Sequence, residues 1–164
     1  MCFDIQKKYF RMSFRFNKNK PEDFGLVKSQ LQNDVYIDNS DNSKWIRASL
    51  YDFGWGNENG FIRLKKLNFM QLWELLVNSN DQENRYGAAH LLEYEHADDL
   101  MNHLLNILNT NNLQLTNSMK EAFKILKLNE VKNRSEVIGK SFSQIEKEFE
   151  NWKYISQKVN EALI

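Results

Sequence analysis

Cysteine is all but missing: Cys2 is the only one in the chain. A lone cysteine closes no internal disulfide and supplies no thiolate metal site. Proline is equally scarce, with Pro21 alone, and glycine occurs only six times. That scarcity, beside a 41% apolar and 13% aromatic content, excludes a disordered or low-complexity chain. No apolar run approaches the roughly 20 residues that span a bilayer. Charges interrupt the first twenty residues, MCFDIQKKYFRMSFRFNKNK, so no signal-peptide core is present. The expectation is a soluble, cytoplasmic protein without a membrane partner.

Excess charge of either sign is also absent, with 22 basic and 22 acidic residues. A general nucleic-acid binder would carry a basic surplus, so nucleic acid is not an expected partner. The charges are unevenly placed nonetheless. Residues 1–20 carry Lys7, Lys8, Arg11, Arg15, Lys18 and Lys20 against Asp4, or +6 − 1 = +5. Residues 81–99 carry Asp81, Glu83, Glu93, Glu95, Asp98 and Asp99 against Arg85, or −6 + 1 = −5. Such a separation either steers a charged partner or marks two segments that face each other.

What is present in quantity is helical patterning. At 164 residues the chain has the length of one domain. It reads as a single domain over 1–164, with a small mixed α/β portion over 1–66 and a helical portion over 67–164. The expected fold class is mainly α, built from antiparallel helical hairpins. In the first portion, Phe10 to Asn17 alternates apolar and polar residues, a half-buried strand signal, though Phe10/Phe14 and Met12/Phe16 are also helical pairs. Lys20-Pro21-Glu22-Asp23 has the chemistry of a helix start, with Phe24, Val27 and Leu31 following at helical spacing. Val35-Tyr36-Ile37 favours a strand, Asp38 to Ser43 a turn, and Gly54 to Gly60 a loop. Trp45 to Phe53 fits either strand or helix, and Phe61 to Leu64 fits a strand.

From residue 67 the helices are clearer. Asn68 caps a helix carrying Phe69, Leu72, Trp73, Leu76 and Val77; Asn78 to Asp81 ends it and caps the next, which runs to about Glu95. Asp98 is placed to cap a third helix carrying Leu100, Met101, Leu104, Leu105 and Leu108. Ser118 to Glu121 and Ser143 to Glu146 are capping boxes for a fourth helix to about Leu128 and a long terminal helix. The terminal stripe is Ile145, Phe149, Trp152, Ile155 and Val159.

In the second helix, Gly87-Ala88-Ala89 interrupts a leucine-rich pattern. Glycine inside a helix costs about 1 kcal/mol relative to alanine, so a close approach is the expected compensation. The order Leu75-Leu76, Asp81, Arg85, Ala88-Ala89, Leu91-Leu92 resembles one HEAT-type helical repeat over about residues 67–108. That resemblance implies hairpin stacking, with Asp81 and Arg85 in structural roles. No second Arg-Ala-Ala unit follows, whereas a solenoid needs about three repeats.

Catalytic and metal signatures fail on spacing. Glu93-Tyr94-Glu95-His96 is one Glu-x-x-His unit where a di-iron bundle needs two. A calcium loop counted from Asp38 would need Gly and Glu where Ser43 and Ser49 stand. A phosphate loop ending Gly139-Lys140-Ser141 would need glycine at Arg134, and the Gly54-Gly56 loop has Asn59 at its third glycine position. No nucleophile elbow occurs. Neither catalytic residues nor a cofactor are expected.

A compact, cysteine-poor, neutral chain with one acidic segment is similar in general character to bacterial immunity proteins, which neutralise a cognate toxin. That resemblance implies a basic toxin domain as partner. Glu93, Glu95, Asp98 and Asp99 are the candidate binding residues, joined by Trp55, an aromatic in a glycine-flanked loop suited to anchor an interface. The other classes are a scaffold acting as a homodimer through apolar aromatics, and an enzyme whose site is scattered through the chain.

Overall fold

The computed structural model describes residues 3–12, 20–52, 57–110 and 115–163. The chain divides into two compact units, Met1–His90 and Leu91–Ile164, with the division inside a helix. Among the described residues there are five strands and five α-helices: β1 (Phe10–Met12), β2 (Leu26–Lys28), β3 (Val35–Asp38), β4 (Ser43–Asp52), β5 (Asn57–Arg63), α1 (Phe69–Asn78), α2 (Gln82–Glu95), α3 (Ala97–Leu108), α4 (Asn117–Ile125) and α5 (Phe142–Leu163). Among the described residues no helix is long and apolar enough to cross a membrane.

The strands form one antiparallel sheet in the order β1-β5-β4-β3-β2. The fold is therefore α+β, and the mainly helical architecture expected from the sequence is wrong. Three features hid the sheet. Residues 57–60, Asn-Glu-Asn-Gly, are poor strand formers but pair with β4 all the same, since Asn59 lies opposite Ser49 and Gly60 opposite Ala48. The supposed glycine loop thus becomes strand from Asn57 onward. A bulge in β4 places three steps of chain, Ser49 to Asp52, against two steps of β5, so both Leu50 and Tyr51 are buried and alternation breaks. The helix expected from Pro21 stops after one 3₁₀ turn, Pro21–Phe24, because Gly25 takes a left-handed conformation (φ 71°) and the chain enters β2.

Register assigns the two faces. On one, Leu26, Trp45 and Phe61 form a buried cluster with Phe24 and Tyr36 packed on it, both meeting the Phe61 ring edge-on. The Arg11 guanidinium lies 4.6 Å from the Trp45 ring centre and is bonded to the Asp38 carboxylate and the Phe24 carbonyl. On the other face, Phe10 of β1 is fully buried against α2.

Helix α2 meets the sheet edge through side chains. The Asn84 amide oxygen accepts the Tyr9 and Phe10 backbone N–H groups at 2.8 and 3.2 Å, and its nitrogen donates to the Lys7 carbonyl at 2.8 Å. Glu83 accepts the Met12 N–H at 2.8 Å. The outer edge of β1 is thereby closed by a helix, one of the ways a sheet avoids an open template. Lys8 reaches both Asp81 and Glu83, at 2.5 and 3.1 Å, so part of the basic N-terminal segment faces the start of the acidic one.

These contacts overturn the HEAT-type repeat. Gly87 is small because a ring from a strand, rather than a second helix, lies against it: a Cβ there would overlap Phe10. Asp81 and Arg85 do hold the α1–α2 corner. The Asp81 carboxylate caps α2 by accepting the Asn84 N–H at 3.1 Å, and Arg85 Nε donates to the Leu76 carbonyl at 2.9 Å. Asn68 caps α1 as expected, in a reciprocal box with Gln71. The caps of α4 and α5 fall earlier than the sequence suggested, at Thr116 and at Ser141, whose partner is Gln144. Helix α4 also ends sooner, at Ile125.

The β3–β4 turn gives a pH test. A hydrogen bond from the Ser40 hydroxyl, supported by the Ser40 N–H and the Arg11 charge, holds the Asp38 carboxyl below its ordinary value against the opposing effect of burial. Hydrogen bonds from Ser43, and the Arg63 charge, do the same for Asp41. A depressed folded-state pKa contributes stability above the unfolded value, near 3.9, and loses it as pH falls through the folded value. Ser40→Ala is therefore expected to lower the urea midpoint at pH 7 and to converge on the wild type near pH 2. A gap independent of pH would contradict this origin.

Candidate protein-interaction surface

The second unit, Leu91–Ile164, contains the acidic corner singled out in the sequence. Its buried apolar residues are Leu92, Leu100, Met101, Leu104 and Leu108 on α2 and α3, Ala122 and Phe123 on α4, Leu126 and Leu128 beyond it, and Trp152, Ile155 and Val159 on α5. Between α4 and α5 runs an irregular segment, residues 126–141. Buried Leu126 and Leu128 and a set of polar contacts fix it. The Asn129 carbonyl accepts from Ser156 Oγ at 2.9 Å and from Asn160 Nδ2 at 3.1 Å. Ser135 Oγ accepts the Trp152 indole N–H at 3.2 Å.

Arg134 is the centre of this arrangement. Its side chain is 3% exposed. Nε donates to Glu93 at 2.9 Å, Nη1 to the Lys132 carbonyl at 3.2 Å, and Nη2 to the Leu126 and Lys127 carbonyls at 3.1 and 2.9 Å. Leu126 is the C-cap of α4, where carbonyls run out of helical donors, and the Lys127 carbonyl also accepts the Glu130 N–H at 3.0 Å. The guanidinium also lies 5.2 Å from the Trp152 ring centre.

The four candidate acids therefore divide. Glu93 is a partly buried counterion to Arg134, which makes it a structural residue. Asp98 and Asp99 occupy the first turn of α3, where the helix dipole favours acids. Helix α3 starts at Ala97, with His96 rather than Asp98 at its N-cap. Asp98 accepts Lys140 Nζ at 3.3 Å, and Asp99 lies 3.4 Å from His96 Nδ1. Both aspartates stay more than half exposed, and Glu95 is exposed at the end of α2. Glu95, Asp98 and Asp99 thus share one corner. Trp55 lies outside the described residues.

Lys140 also pairs with Glu148 at 2.7 Å. These two carboxylates raise the Lys140 pKa above its ordinary value, the hydrogen bond that Lys140 donates to Glu148 contributing most. The pairing holds the turn Val137–Lys140 within a side chain's length of Asp98. Gly139 at φ 78° supplies the left-handed corner of that turn. Ile138 stands at its tip, 83% exposed, and Phe142 follows at 80%. Val131 and Val137 are also about half exposed.

Sequence reading passed over this apolar ridge. The only available signal was Val137-Ile138 between polar residues, together with Phe142 displaced from the buried stripe of α5. No family model, curated protein or solved structure matches the chain.

Proposed function

We propose that the chain is a non-enzymatic protein-binding protein, of the kind that neutralises a toxin, and that it takes a basic protein domain at the α2–α3 corner. The carrying observation is that Glu95, Asp98 and Asp99 remain exposed together while Asp81, Glu83 and Glu93 are engaged by Lys8 and Arg134. Exposed like charges steer a partner of opposite charge and make association salt-dependent. Glu95→Lys/Asp99→Lys changes two surface positions with little structural involvement. Capture of a basic protein from the host lysate by the wild type should be lost by this variant and weakened by added salt. Equal capture by both would refute the reading.

A second reading, self-association, is favoured by the contrast between the sheet edges. Asn84 and Glu83 close the outer edge of β1, whereas β2 ends the sheet and among the described strands pairs only with β3. Light scattering on the purified chain separates the two, because a monomer leaves only the heterologous partner.

A further inference from the structure

The corner described above carries acids, but acids alone make a weak interface, since exposed ion pairs contribute little. Interfaces draw most of their strength from a few buried anchors, with a charged rim that governs encounter. The neighbouring ridge has the properties of such anchors. Ile138 and Phe142 are among the most exposed large apolar side chains described, and Val131 and Val137 extend the same segment.

The ridge is also held in place before any partner arrives. Its segment is fastened at Asn129, Arg134, Ser135 and Lys140, and Ser141 and Gln144 cap the helix at whose first position Phe142 stands. An apolar turn fixed in this way loses little conformational freedom on binding. A side chain 83% exposed at a turn tip is a knob, so the complementary cleft belongs to the other molecule. Two exposed acids beside it, Asp98, which reaches Lys140 of the same turn, and Glu136, which accepts the Val137 and Ile138 N–H groups, set the charge of that cleft's rim.

We infer that Ile138 and Phe142 are the anchoring residues of the interface, inserted into an apolar cleft rimmed by lysine and arginine on a folded basic domain. This rests on the protein-binding reading above and assigns its energetic centre to residues outside the acidic cluster.

The test places benzoylphenylalanine at one position at a time in the full chain: 138, 142, 95, and Val27 in the first unit as control. Each protein is irradiated in host lysate and the adducts are identified by mass spectrometry. The expected result is one adduct with a basic protein from positions 138 and 142, none from 27, and a yield that falls with salt. Unlabelled Ile138→Ser/Phe142→Ser should compete at least about tenfold less well than the wild type. Both side chains are exposed, so their loss leaves no cavity, and an unchanged circular dichroism spectrum confirms folding. An adduct from 95 with none from 138 or 142 would overturn the anchor assignment and leave the protein-binding reading standing. No adduct from any of the three would overturn both. An adduct of twice the chain's mass would identify a second copy and also overturn the assignment.

Discussion

Gly87→Ala is expected to destabilise the first unit by about 1–3 kcal/mol, although the same change in an ordinary helix interior would gain about 1 kcal/mol. The sign reverses because of what faces the glycine. A Cβ at position 87 would overlap three carbons of Phe10, its Cβ, Cγ and Cδ1. Phe10 has little room to retreat. It is fully buried, its strand is paired to β5 with Phe10 opposite Ile62, and its backbone N–H is held by Asn84, one turn before Gly87 on the same helix. Relief requires either a displaced ring or a helix moved off the strand, which would stretch the bonds from Asn84 and Glu83. Urea denaturation measures the change. Phe10→Leu in the Gly87→Ala background should recover part of the loss, so the double mutant falls short of the summed single costs. A stabilised Gly87→Ala protein would mean that strand and helix do not touch at this point.

That glycine also shows how far the sequence can be read. Its smallness signalled a close approach, and a close approach is found. The approaching group is a phenylalanine 77 positions earlier in the chain, and nothing local to α2 distinguishes that ring from a second helix. A repeat therefore seemed natural where a sheet stands. Helix ends were legible where a single side chain makes them, as at Asn68 and Asp81. The strands were less so, because their evidence is cross-strand. Asn57 to Gly60 acquires strand geometry from β4, and the extra residue in β4 erases the alternation that would have announced it. The acidic corner was legible as charge. Glu93 could not be set apart from its neighbours because its counterion lies 41 residues away.

The same counterion carries the second large effect. Arg134→Ala should cost about 3–5 kcal/mol, the range for removing one member of a buried ion pair. The loss has three parts with one cause. Glu93, whose side chain is only 18% exposed, is left without its cation. The Leu126 carbonyl at the C-cap of α4 loses its Arg134 donor, and the Lys127 carbonyl loses one donor while keeping the Glu130 N–H; a buried acceptor that loses its partner is costly. The Trp152 ring loses the guanidinium beside it. Arg134→Lys should recover little, since one ammonium cannot reproduce a planar fork addressing a carboxylate and carbonyls together. Glu93→Gln in the alanine background isolates the first part: it removes the stranded charge and should restore some stability, while the bonds from Arg134 to the carbonyls stay lost. Chemical denaturation followed by tryptophan fluorescence measures all four proteins, with Trp152 packed beside the altered site. A cost of Arg134→Ala below about 1 kcal/mol would place Arg134 in the class of surface ion pairs, contrary to its burial. The consequence extends to the proposed interaction surface. Arg134 fixes the segment bearing Val131, Val137 and Ile138, so its loss should weaken partner binding even under conditions where the protein remains folded.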